Sequence, residues 1–145
     1  MRAIRRLLRD SRGATLVEFG ILAPAMFAML IGVLQIGIGM QAYNSLRGIA
    51  SDTARYAATS YQKSQDKVAA EIEVEGNDIA IAAPYALTAS DLDLQVVEVT
   101  TPRVAGTFEF TITINYQVPS LLGFIGVENI PISYSRPIFV VDRDD

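Results

Sequence analysis

From Phe19 to Leu46 the chain carries no charged side chain. These 28 residues make about 42 Å of helix at a rise of about 1.5 Å per residue, whereas a bilayer core of about 30 Å is crossed by about 20 residues. A soluble core helix seldom runs so far without a polar face. A cleavable secretory signal has an apolar region of only about 7–15 residues ended by a small-x-small site. Ala23-Pro24-Ala25 lies deep inside this run rather than after it. The run therefore predicts one membrane-spanning helix.

Charge orients it. Residues 1–13 hold Arg2, Arg5, Arg6, Arg9 and Arg12 against one acid, Asp10. Of the 12 basic and 16 acidic residues in the whole chain, 7 and 15 remain beyond this head, a net of −8. Positive residues stay cytoplasmic, and the head outweighs Arg47 and Arg55 beyond the span. The expected topology is single-pass, with the N-terminus inside and the C-terminal part outside. An acidic body is a poor match for nucleic acid, which needs clustered positive charge. The sequence has no cysteine, histidine or tryptophan, so disulfides, thiol nucleophiles and ordinary zinc sites are excluded.

After Met40 the apolar pattern becomes one-sided. Tyr43, Leu46, Ile49 or Ala50, Ala54, Ala57 and Tyr61 recur at three- and four-residue steps, which predicts one helix from about Ala14 to about Tyr61. Pro24 lacks the N–H for the bond one turn back and is expected to bend that helix. Glycines 20, 32, 37 and 39 permit close helix-to-helix approach, although Gly and Pro are also simply common in membrane helices. Over 64–89, Val68, Ile72, Gly76, Ile79 and Ala83 suit a second helix ending before Pro84. The competing pattern, Ile72 with Val74 and Ile79 with Ile81, suits a hairpin turning at Gly76-Asn77-Asp78. The helix is the favoured reading.

The last third reads as β. Phe108, Phe110, Ile112, Ile114, Tyr116 and Val118 alternate with Thr107, Glu109, Thr111, Thr113, Asn115 and Gln117, the mark of a half-buried strand. A preceding strand begins at Leu92, Leu94 and Val96, where a shift of apolar phase to Val97 and Val99 predicts a bulge or bend. Thr101–Gly106, with Pro102 and Gly106, suits a hairpin connection. A third strand from about Ile132 to Val141 contains Pro131 nearby and Pro137 within, so it is expected at an edge. Between them, Leu121, Leu122, Phe124, Ile125 and Val127 are unusually apolar for a loop. They fit a flap over the sheet, a subunit contact or a loop resting on a membrane. The fold class expected is α+β: a basic leader 1–13, a long helix 14–62 with its first half in lipid, and a small domain 63–145 with a second helix and a roughly three-stranded antiparallel sheet.

The densest acids, Asp91 with Asp93 and Glu71-Glu73-Glu75, read as solvated faces, since a calcium site needs six to eight converging oxygens. No catalytic residue, cofactor site or metal site is expected, and the chain does not read as an enzyme. The informative stretch is Arg12-Gly13-Ala14-Thr15-Leu16-Val17-Glu18-Phe19. An acid near the bilayer centre costs about 2–3 kcal/mol. Glu18 is one turn into the helix, so it reaches the interface, is protonated, or serves assembly.

This stretch resembles the processing site of type IV prepilins, where a membrane peptidase cuts after the glycine and a glutamate stands at the fifth mature position. The resemblance implies a cut between Gly13 and Ala14, and a Glu18 carboxylate that pairs with the Ala14 amine of a neighbouring subunit. Together with Phe19, Pro24 and the later Asp52-Thr53-Ala54-Arg55-Tyr56-Ala57 block, it is similar to the TadE-like family, minor pilin-like proteins of the tight-adherence (Flp) pilus apparatus. The family implies a prepilin peptidase, other pilin or minor pilin subunits, the inner-membrane assembly platform and membrane lipid as partners, with incorporation into a surface pilus and a part in adhesion. Two other functions fit the same residues: a permanently anchored periplasmic scaffold or binding protein, and a pseudopilin of type II secretion.

Overall fold

The computed structural model describes residues 11–63 and 68–141, with side chains of the helical residues 11–14, 62 and 63 left aside. The basic leader falls largely at 1–10, outside the described residues. Helix α1 runs Ser11–Lys63 without interruption and contains Pro24. Helix α2 is Ala69–Ile81. Three strands follow, β1 Leu92–Glu98, β2 Thr107–Val118 and β3 Ile130–Val141, antiparallel in the order β1-β2-β3. The fold is α+β, as the sequence predicts. Gly76-Asn77-Asp78 lies inside α2, so this segment is helix and not hairpin. The chain divides into two compact units after Gly37.

In the first unit most of the described apolar side chains are uncovered. Leu16, Phe19, Ile21, Met26, Met29 and Val33 are all more than 60% exposed. An 18-residue window here has mean hydropathy 2.2 and is only 6% buried. A soluble core helix of that hydropathy would be mostly buried. By length and composition the first part of α1 is therefore long and apolar enough to cross a membrane, consistent with a single-pass N-terminal anchor.

In the second unit the Ile38–Lys63 part of α1 joins α2 and the sheet around one core. Leu46, Ile49, Ala50 and Ala57 from α1 and Ile72 and Ala80 from α2 are buried. They meet the inner face of the sheet: Leu94 and Val96 of β1, Phe110 to Val118 at alternate positions of β2, and Ile138 and Val140 of β3. The Tyr43 and Tyr134 rings meet edge to face, centroids 5.8 Å apart, and Tyr61 lies 5.8 Å from Phe108. Tyr134 pairs with Ile114, so α1 descends the sheet opposite to β2.

The bulge expected at Val96 is absent. Register runs unbroken from Leu92↔Tyr116 to Glu98↔Phe110, and Val97 is an outward residue, 60% exposed. The apolar phase shift has a different cause: the outer face has its own apolar end, where Val97, Thr111 and Pro137 share a row. Pro131 and Pro137 do sit in the edge strand β3. They are an even number of residues apart, so both fit the pairs that need no N–H toward β2. The opposite edge is covered: the Val96 N–H donates to Glu73 Oε2 at 3.0 Å, which ties α2 to β1 and blunts that edge.

Candidate assembly site on the N-terminal helix

Gly13 and Ala14 belong to the first turn of α1, so the expected junction falls on helical backbone. Glu18 follows Ala14 by four residues, one turn and about 6 Å up the axis. Four-residue spacing puts the two positions on one face. Glu18 and Phe19 are exposed, Phe19 by 62%, and Glu18 pairs with no cation among the described residues. Further along the face of Glu18 come Ala25, Ala28 and Gly32, small residues at three- and four-residue steps. A Cβ added at Gly20, Gly32 or Gly37 would meet nothing, so packing within this chain does not require these glycines. Pro24 is exposed and leaves the carbonyl of Gly20 without its helical donor.

Past Gly37 the logic reverses. Thr53 is fully buried and its Oγ1 donates to the Ile49 carbonyl at 2.8 Å. Asp52 accepts from the Tyr85 hydroxyl at 2.8 Å and lies 3.5 Å from Arg55. Burial first, and then Asp52, raise the Tyr85 pKa above the ordinary phenol value. Gly48 gives Tyr85 its place: an added Cβ would stand 2.5 Å from the phenol oxygen and 2.7 Å from Cε1. The Asp52–Ala57 block thus fastens α1 to the segment after α2. Sequence reasoning found the block but not Gly48 or Tyr85. A glycine on the buried side of an amphipathic helix was the available signal.

The acids do not converge. Glu73 is spent on the β1 edge, while Asp93 accepts from Gln95 and Asn115, each at 3.2 Å, on the outer face of the sheet. Among the described residues no three His, Cys, Asp or Glu side chains are grouped to hold a metal. One acid missed from sequence is Glu109. It points to the outer face, yet is 2% exposed, because the β1–β2 connection folds Arg103 over it. The Arg103 Nε donates to Oε1 at 2.7 Å and the Arg103 N–H to Oε2 at 2.8 Å, with Nη2 also on Oε1. The guanidinium lies 5.6 Å from the centre of the Phe139 ring. These bonds hold the Glu109 carboxyl below the usual carboxylate range.

The charge-free stretch of α1, its early carboxylate and the first four residues of the later block, Asp52 to Arg55, lie within residues 13–55, and those residues match the family model described as TadE-like protein. This segment resembles the TadE-like family. The TadE-like match takes in the anchor and the first turns packed on the body, and ends at Arg55, before α2 and the sheet. No curated protein and no solved structure matches the chain. The match covers under a third of the chain and suggests a protein related to the tight-adherence pilus.

Proposed function

We propose that this chain is a minor pilin-like subunit of a tight-adherence pilus. It is inserted in the inner membrane with residues 1–13 cytoplasmic and the body periplasmic, and is cut by a prepilin peptidase between Gly13 and Ala14. The observation that carries the reading is a TadE-like match that opens at Gly13 and takes in Glu18 ahead of a charge-free helix. Cleavage removes five arginines, each costly to draw through lipid. What remains is a helix whose early charges are the Ala14 amine and Glu18. The carboxylate then meets the amine of a neighbouring subunit. In a low-dielectric bundle such a pair fixes axial register more than it adds stability. The uncovered glycines let neighbouring helices approach closely, and Pro24 bends the helix locally.

The test is co-purification from native membranes with identification of the partners, for the unaltered protein and for Glu18→Ala. Tight-adherence pilins and the assembly platform are expected with the former. Glu18→Ala is expected to be cut normally and to lose those partners. Recovery of type II secretion components, or full tolerance of Glu18→Ala with no pilin partner, contradicts the reading.

A further inference from the structure

We propose that the loop 119–129 between β2 and β3 rests in the interfacial layer of the bilayer that holds the N-terminal helix, with Phe124 and Ile125 as its deepest side chains; this rests on the anchored reading above. The loop is not a flap over the sheet. Phe124 is 79% exposed and Ile125 64%, with Leu121 and Val127 also outside. Its only charged residue is Glu128.

Its backbone is closed on itself. The N–H groups of Gly123, Ile125, Gly126 and Val127 donate to carbonyls of Ser120, Leu122, Gly123 and Leu122. Leu122 N–H donates to Ser120 Oγ, and Ser120 N–H to Asn129 Oδ1, each at 3.1 Å. Gly126 makes the reversal at φ +87°, where a side chain would be strained. A segment entering lipid must satisfy its own polar backbone, and this loop pairs six of its N–H groups internally while turning its apolar side chains outward.

Its position selects lipid over a protein partner. The tip lies at the end of the body where the chain enters it. From the Tyr43–Tyr134 contact, five helical residues down to Ile38 cover about 7.5 Å. In the same direction, four strand residues from Ile114 to Val118 cover about 13 Å. The turn after Val118 thus lies at or beyond the level of the first residue of the body, and the segment before that residue is the apolar span. Exposed apolar side chains on a largely paired backbone, at the end of the body where the chain enters it, fit the water–hydrocarbon boundary.

The chain has no cysteine, so single reporters are straightforward. Full-length protein is placed in phosphatidylcholine vesicles containing some phosphatidylglycerol. A fluorophore is attached in turn at Phe124→Cys, at Thr101→Cys on the opposite end of the sheet, and at Val33→Cys in the span. The Phe124→Cys label is expected to be quenched by brominated lipid, and several-fold less by aqueous iodide than the Thr101→Cys label, at every protein-to-lipid ratio. Iodide quenching equal to that at Thr101→Cys overturns the proposal. So does shielding that fades as lipid is added, which marks a subunit contact. A Val33→Cys label open to iodide sinks the anchor itself, and the loop proposal with it. Circular dichroism of each variant confirms the fold, which exposed positions leave intact.

Discussion

Two carboxylates in this chain have opposite surroundings. Glu18 stands exposed on an apolar helix. Glu109 is covered by a single arginine and held ionised by it, through the side-chain bonds first and the Arg103 N–H second. Its folded pKa lies below that of the unfolded chain, so the pair's contribution is fully present above the ordinary carboxylate value of about 4.3 and is lost as pH falls through the lowered folded value. Urea unfolding of the detergent-solubilised protein is therefore expected to show stability dropping with acid over that range. Arg103→Ala should flatten the drop and lower stability at neutral pH. Because the Arg103 side chain is 65% exposed, salt should weaken the pair as well. An acid response unchanged by Arg103→Ala would separate the pair from the stability of the hairpin. Nothing local in the sequence announces this contact: Glu109 sits on the polar side of its alternation, and only the folded-back connection covers it.

Among the elements, α1 changes its chemistry part-way along. Gly39 faces open space and Gly48 faces Tyr85. Gly39→Ala is expected to leave the body as stable or more so, by roughly 0.5–1 kcal/mol, since Gly costs that much in a helix. Gly48→Ala should displace the phenol from Asp52 and lower stability by about 1–3 kcal/mol, visible as a shift in the urea midpoint. Ile49→Ala removes a fully buried side chain and should cost about 2–5 kcal/mol. The elements most legible in the sequence are those set by a single period. Six in-out pairs define β2, and the 28-residue charge-free run with its amphipathic continuation defines α1. In α2 two periods overlapped, because Val74, Ile79 and Ile81 stand outside one buried helical stripe of Ile72, Gly76 and Ala80. The false bulge at Val96 had a related cause. An outward valine on a mainly polar outer face looks the same in sequence as a strand that has slipped a residue, and register separates them only when the partner strand is known. Glu73 on the Val96 N–H, and Tyr85 on Gly48, are contacts between distant parts of the chain that no local pattern encodes.

At the scale of the molecule, an apolar, uncovered helix carries a small acidic α+β body, and the TadE-like match spans the passage from one to the other. In this account the body needs only its own core, while the anchor needs lipid before assembly and other subunits after it. On the proposed function, the step between those two surroundings is removal of the arginine-rich leader, so the mature N-terminus tests it most directly. Intact mass and N-terminal peptide analysis of the protein extracted from cells with an active prepilin peptidase should find a chain beginning at Ala14, with full-length protein accumulating when the peptidase is inactivated. A chain that keeps residues 1–13 while the peptidase is active would contradict the account.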